Sequence, residues 1–204
     1  MTEAIRSFRA KQPRAELVMV PMSSGLQRNA LRDAHVDAGF VYRVSAEDDE
    51  LNWVGIASED IMLAMPRGHL LARRPYVRPE TLRDIPLLAS RRQGNAEYFD
   101  AVTAGLRLSG IEPRIIEEPD SAVVLSLVAI GMGLGIVNSS TRWRVPDGIV
   151  LRRVRGLSVP FRLDLIWRKN NKSRLLHHFI DCASAGIAAR GPHKVSAKNS
   201  RIIE

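Results

Sequence analysis

The stretch LSLVAIGMGLGIV, from Leu125 to Val137, predicts a buried helix that ends at glycines and continues into a buried strand. The run from Ala122 to Val137 carries no charge, but it is shorter than the roughly 20 residues of a membrane-spanning helix, and glycines interrupt it. A nucleotide-binding loop is disfavoured, because Gly131, Gly133 and Gly135 leave a helix and enter a strand, which reverses the order that such loops need. We therefore expect a helix–turn–strand unit within a larger core.

The alternation of helices and strands continues on both sides of this unit. Capping residues predict helices that begin near Ser24 (with Gln27 completing a capping box), Gly94-Asn95, Asp120 and Ser173. Apolar runs and alternating patterns predict strands at 16–20, 37–41, 51–57, 61–65, 85–89, 114–117, 135–137 and 161–167. This order favours an α/β fold with a largely parallel sheet, in which ligands bind beyond the carboxyl ends of strands.

The composition is that of an ordinary globular protein, with 204 residues, of which 45% are hydrophobic and 25% charged. Cys182 is the one cysteine, so no internal disulfide can form, and a reducing cytoplasm is the simplest compartment. The first residues lack the apolar core of a secretory signal. Much of the net charge of +8 lies near the two ends, which favours a solvated helix face and a flexible basic tail at 191–204.

Several fragments, taken in order, resemble the effector-binding (substrate-binding) domain of LysR-type transcriptional regulators, from about Phe8 to Ala183. The most specific fragment is Leu125–Val137 itself. The fragment SRRQGNAEY at 90–98 resembles a ligand loop of the branch that senses aromatic-degradation intermediates. The remaining fragments are FRAKQP at 8–13 with EL at 16–17, LRDAHVDAGFV at 31–41, MLAMPRGH at 62–69 and FRLDLIWR at 161–168.

The resemblance implies an α/β, two-lobed, type-two periplasmic-binding-protein-like fold, with two crossover strands and a ligand in the cleft. Lobe one would comprise residues 1–62 and 162–190, and lobe two residues 63–161. The family places a helix-turn-helix ahead of this domain, and it also has a first strand in lobe one that we do not find here. Three explanations stay open: the chain is a fragment, its start was chosen internally, or another chain completes the sheet.

Candidate ligand-binding residues lie where predicted strands end and helices begin. Ser23 and Ser24 precede a helix N-terminus, where hydroxyl and backbone N–H groups bind a carboxylate or simply cap the helix. Arg91 or Arg92 can pair with a carboxylate through two hydrogen bonds, and the alternative is a solvated loop charge. The resemblance adds the rest of this loop and a second loop, namely Gln93, Gly94, Asn95, Val137, Asn138 and Ser139.

The resemblance further implies a regulator that binds a small anionic effector, such as a carboxylate or aromatic acid, and forms a homodimer or tetramer. It implies no cofactor, no metal and no membrane, and DNA contact only through a helix-turn-helix absent from this chain. The sequence contains no Gly-x-Ser-x-Gly or His-Glu-x-x-His motif, and His177 and His178 point in different directions on a helix, so we expect no enzyme. The alternatives are a cytosolic solute-binding protein or enzyme on the same fold, and sequence-blind nucleic-acid binding by the basic ends.

Overall fold

The computed structural model describes residues 2–43, 48–157, 159 and 161–188. The predicted tail at 191–204 lies outside these residues. The α-helices within them are α1 (Thr2–Lys11), α2 (Ser24–Arg32), α3 (Ala96–Leu108), α4 (Ser121–Ala129) and α5 (Arg174–Ala188). The strands are β1 (Ala38–Arg43), β2 (Leu51–Glu59), β3 (Ile61–Pro66), β4 (Tyr76–Val77), β5 (Leu87–Ser90), β6 (Ile115–Glu118), β7 (Leu134–Asn138), β8 (Ile149–Val154) and β9 (Phe161–Arg168).

The smaller of two sheets has the strand order β1-β9-β2, and both pairings are antiparallel. Helices α1 and α5 cover one face, where Phe8 and Phe179 pack edge to face with ring centroids 5.4 Å apart. Cys182 is buried in the same cluster. Helix α2 covers the opposite face, where Leu31 is fully buried against Val41.

The larger sheet has the strand order β4-β8-β3-β7-β5-β6. Strand β3 runs antiparallel to β7 and β8, whereas β5 is parallel to both β6 and β7. The expectation of a largely parallel sheet is therefore wrong, and the sheets are mixed. Helices α3 and α4 connect β5, β6 and β7, which are parallel, whereas β3 enters this sheet directly from β2 of the other sheet and has no helical connection to β7 or β8 before or after it in this order.

The chain passes between the two sheets at two points that lie side by side. Glu59, the last residue of β2, pairs with Phe161, the first residue of β9, and β3 begins at Ile61. Phe161 is buried in the core of the larger sheet, where its ring centroid lies 5.0 Å from that of Tyr98. The two crossings thus join two lobes along one short seam.

The segment at 16–20 is not a strand, so that prediction is wrong. Its alternating pattern is present, but none of the described strands pairs with it, and Val18, Met19 and Val20 are 71%, 56% and 51% exposed. Alternation specifies which face a strand would bury, whereas a strand also needs a neighbour to accept its backbone hydrogen bonds.

Gly133, at the turn between α4 and β7, generates a stability prediction. A Cβ atom there would lie 2.6 Å from the carbonyl oxygen of Pro86, which already accepts the Leu134 N–H at 3.0 Å. Gly133→Ala should therefore lower the free energy of unfolding by about 1–3 kcal/mol, as overpacking does, measured by urea denaturation. Gly68→Ala is the control, because a Cβ there meets no atom within 4 Å. Equal losses in the two variants would contradict this account.

Candidate functional site

A cleft of about 300 Å³ lies between the two lobes, and residues from both line it. Seven of the predicted site residues line this cleft: Ser23, Ser24, Arg91, Gly94, Asn95, Val137 and Asn138. Three others, Arg92, Gln93 and Ser139, are not among the lining residues. The cleft also contains side chains that were not predicted to bind ligand, chiefly Gln27, Tyr42, Tyr98, Ser140, Thr141 and Arg144.

The two serines before α2 have different roles. The Ser23 hydroxyl accepts the Leu26 N–H at 3.5 Å and caps the helix, while the Ser24 hydroxyl accepts the Tyr42 N–H at 3.1 Å. The prediction that Ser24 is the cap is therefore wrong by one residue. Ser24 instead accepts a hydrogen bond from the Tyr42 N–H, which points away from β9 and has no neighbouring strand to accept it.

Asn95 links the two lobes through Tyr42, the residue of β1 that Ser24 also contacts. Its side-chain oxygen accepts the Tyr98 N–H at 3.2 Å and caps α3, and its Nδ2 donates to the Tyr42 carbonyl at 2.9 Å. Both backbone groups of Tyr42 are thus bound by side chains, one from each lobe. An ion pair between Arg28 Nη2 and Glu97 Oε2, 3.1 Å apart, joins the same two helices beside this contact.

The structure distinguishes Arg91 from Arg92. Arg92 turns away from the cleft and forms two hydrogen bonds with the Asp100 carboxylate, at 2.8 and 2.7 Å. This pairing raises the pKa of Arg92 and lowers the pKa of Asp100. Arg91 lines the cleft, and its guanidinium has no hydrogen-bond or ion-pair partner within the described ranges.

Ser139 faces the crossover rather than the cleft. Its hydroxyl donates to the buried Glu59 carboxylate at 2.7 Å, and the Ser140 N–H donates to the same oxygen at 2.8 Å. The Asp60 N–H in turn donates to the Ser139 hydroxyl at 3.2 Å. These bonds fasten the loop after β7, which lines the cleft, to the passage between the lobes.

Two tyrosines form part of the cleft wall. The Tyr42 hydroxyl lies 3.4 Å from the Ser140 hydroxyl, across the two lobes. Burial raises the pKa of Tyr98, so its phenol stays protonated and can act as a hydrogen-bond donor at physiological pH. Tyr42 directly follows the predicted strand at 37–41, and Tyr98 lies in the first turn of the helix predicted to begin at Gly94-Asn95, so the available signals were a strand end and a helix start.

A buried ion pair supports β1 beneath the cleft. Arg43 Nε lies 3.2 Å from Asp164 Oδ2, and Asp164 is completely buried. Burial raises the pKa of Asp164, against the opposing effects of Arg162 and Arg43. The guanidinium groups of Arg43 and Arg162 each lie 4.7 Å from the Trp53 ring centroid, so this cluster fixes the end of β1 against β2 and β9.

Residues 1–188 match the family profile of the LysR substrate binding domain. The chain belongs to this family. The regulator AlsR of Bacillus subtilis (strain 168) is 24% identical over 177 residues, which cover 86% of this chain and 58% of AlsR. The uncharacterised regulator YwqM of the same strain is 26% identical over 186 residues, or 87% of this chain and 61% of YwqM. The chain thus spans about three fifths of the length of these curated relatives.

Solved structures agree with this assignment. The LysR family regulator CbnR superposes with a TM-score of 0.74 at 25% identity, over 90% of this chain and 64% of CbnR. The BenM effector-binding domain with benzoate superposes with a TM-score of 0.79 at 20% identity, over all of this chain and 91% of that domain. At this level of identity the similarity is evidence for the fold only. The predicted family and two-lobed α/β fold are confirmed, and the chain is a regulatory domain rather than an enzyme.

Two kinds of feature are absent from the part of the chain that the structure describes. No helix there is long and apolar enough to cross a membrane. In those same ranges, no group of three or more histidine, cysteine, aspartate or glutamate side chains could hold a metal ion.

The hydrogen bonds from Ser139 and Ser140 to Glu59 connect the cleft-lining loop to the crossover, and substitutions of Glu59 test them. Glu59→Ala should lower the free energy of unfolding by about 1–3 kcal/mol, because it leaves the half-buried Ser140 N–H without its acceptor. Glu59→Gln keeps an acceptor oxygen of the same reach and should lose less, as measured by urea denaturation. If the two variants lost the same stability, the hydrogen bonds to Ser139 and Ser140 would not be the cause.

Proposed function

We propose that this domain binds a small carboxylate, such as an aromatic acid, in the cleft between its lobes, and that binding regulates transcription in the cytoplasm. The observation that carries the proposal is the convergence of three helix N-termini on the cleft. The N-cap residues Ser23, Asn95 and Asp120, of α2, α3 and α4, all line it. Helix N-termini carry partial positive charge and free N–H groups, which favour anions.

The charged side chains of the cleft support an anionic ligand. Its charged lining residues are Arg91, Arg144 and Asp120, which gives an excess of one positive charge. The Asp120 carboxylate is already engaged, since it accepts the N–H groups of Ala122 and Val123 at 2.8 and 3.0 Å. Neither Arg91 nor Arg144 has a side-chain partner within the described residues, so both guanidinium groups are available to a carboxylate.

The benzoate-bound BenM domain shares this fold, so benzoate is a reasonable first probe. A ligand that binds the folded domain raises its melting temperature. We expect benzoate or a related mono- or dicarboxylate to raise the melting temperature of the purified chain in a thermal-shift titration. An uncharged amide of the same acid is the matched control and should produce no shift.

Adjacent arginines offer a matched pair of variants. Arg91→Ala should weaken carboxylate binding by about tenfold or more, the loss expected for a hydrogen bond to a charged group. Arg92→Ala removes the same charge one residue away and should leave the dissociation constant nearly unchanged, because Arg92 is held by Asp100. Calorimetric titration measures both. Equal weakening would mean that only the general positive charge matters, and no weakening would remove Arg91 from the site.

We also propose that the domain acts as a homodimer or larger assembly within a longer regulator that contacts DNA through a helix-turn-helix. The names of the curated relatives, each described as a helix-turn-helix regulator, support this reading. Ligand can shift the arrangement of lobes or subunits only as far as it binds one arrangement better than another. Sedimentation of the purified chain with and without the carboxylate measures the assembly directly.

A further inference from the structure

Tyr98 has a hydroxyl group that opens onto the cleft and is free to bind a ligand. The residue lies in the first turn of α3, and its ring packs edge to face against the buried Phe161, with ring centroids 5.0 Å apart. Within the described ranges the Tyr98 hydroxyl forms no hydrogen bond, and it is not one of the fully buried polar atoms that lack a partner. Since Tyr98 lines the cleft, this hydroxyl is accessible from there. Tyrosine hydroxyl groups usually find a partner when the ring is covered, so this one is available to a ligand.

Two more hydroxyl groups lie near the Tyr98 phenol. Tyr42 packs against the same Phe161 ring, with centroids 5.7 Å apart, and its hydroxyl lies 3.4 Å from that of Ser140. Glu59, which pairs with Phe161 at the crossover, accepts the Ser140 N–H at 2.8 Å. Burial is the main cause of the raised pKa of Tyr98, and the neighbouring Tyr42 and Glu59 raise this pKa further. The hydroxyl groups of Tyr42, Tyr98 and Ser140 (the hydroxyl cluster) thus form a neutral polar patch beside the crossover.

The hydroxyl cluster differs in chemistry from the other polar groups of the cleft. The helix N-termini and Arg91 favour a negative charge, whereas a neutral phenol donates a hydrogen bond to a hydroxyl or carbonyl oxygen as well. A hydroxyl group that accepts from Tyr98 can donate its own proton to the oxygen of Tyr42 or Ser140. The Glu59 carboxylate beside the cluster disfavours a second negative charge there. The cleft therefore suits a ligand with one carboxylate and one neutral hydroxyl group.

We propose that the ligand is a hydroxy-substituted aromatic carboxylate, and that Tyr98 selects it by donating a hydrogen bond to the hydroxyl oxygen of the ligand. The inference rests on the proposed function, since it takes the ligand's carboxylate to lie at the helix N-termini and Arg91. A methyl group in place of the ligand's hydroxyl displaces water from the Tyr98 hydroxyl without replacing its hydrogen bond. A site built around such a bond rejects the analogue that lacks it more strongly than an apolar pocket does.

Dissociation constants of substituted benzoates, measured by calorimetric titration, test the inference. Hydroxyl, methyl and carboxyl substituents are compared at each ring position, so that every hydroxybenzoate has an apolar and a charged counterpart of similar size. For at least one ring position, we expect the hydroxybenzoate to bind about tenfold more tightly than the methylbenzoate. The dicarboxylate with the same substitution pattern should bind no more tightly than the methylbenzoate.

Tyr98→Phe removes the hydroxyl but keeps the ring that packs against Phe161, so the fold should be preserved. The variant should reduce the preference for hydroxyl over methyl to about threefold or less, chiefly by weakening the binding of the hydroxybenzoate. Tyr76→Phe is the matched control, because Tyr76 is exposed on β4 and is not among the residues that line the cleft. It removes the same chemical group and should leave the preference unchanged.

Several results would overturn the inference. These are equal affinity of the unmodified chain for hydroxybenzoates and methylbenzoates, tighter binding of the dicarboxylates, and a preference that persists in Tyr98→Phe. A preference that is lost in Tyr42→Phe but kept in Tyr98→Phe would assign the selection to the wrong tyrosine. If methylbenzoates bind and the hydroxyl adds nothing, this inference fails while carboxylate binding stands. If none of the acids binds, the proposed function fails, and this inference fails with it.

Discussion

The position of the cleft follows from the two passages of the chain between its sheets. Glu59 and Phe161 pair with one another at the crossing, so both connections occupy one seam. Phe161 continues into the core of lobe two, and Glu59 holds the loop after β7 through Ser139 and Ser140. A two-strand seam resists shear but allows hinge bending, and the loop that lines the cleft would move with it.

Three helix N-termini supply polar groups to the cleft, and two contacts between the lobes lie beside them. Asn95 of lobe two binds the Tyr42 carbonyl of lobe one, and Arg28 pairs with Glu97 across the same gap. The Asn95 contact also gives the partly buried Tyr42 carbonyl a hydrogen-bond partner. The two contacts also hold the N-termini of α2 and α3 together before a ligand arrives, which reduces the ordering that binding requires.

Local signals in the sequence predicted local features well. Asn95, Asp120 and Ser173 accept backbone N–H groups at the helix starts where they were expected, because a cap and its partners lie within three residues. Ser24 did not follow this rule, since its hydroxyl is taken by the distant Tyr42. Strand β8 was not predicted because Arg152 and Arg153 interrupt its apolar pattern, yet Arg152 donates to the carbonyls of Ala72 and Arg74.

By itself the sequence determined the alternating α/β order, the family and most helix starts, since each depends on residues that are neighbours along the chain. The tertiary structure alone decided that the sheets are mixed, that residues 16–20 stay unpaired, and that Arg91 rather than Arg92 faces the cleft. It also brought Tyr42, Tyr98 and Arg144 to the cleft. The physical reason is that strand direction and side-chain exposure depend on partners that the local pattern does not specify, such as Asp100, eight residues after Arg92, and β9, which pairs with β1 from the other end of the chain.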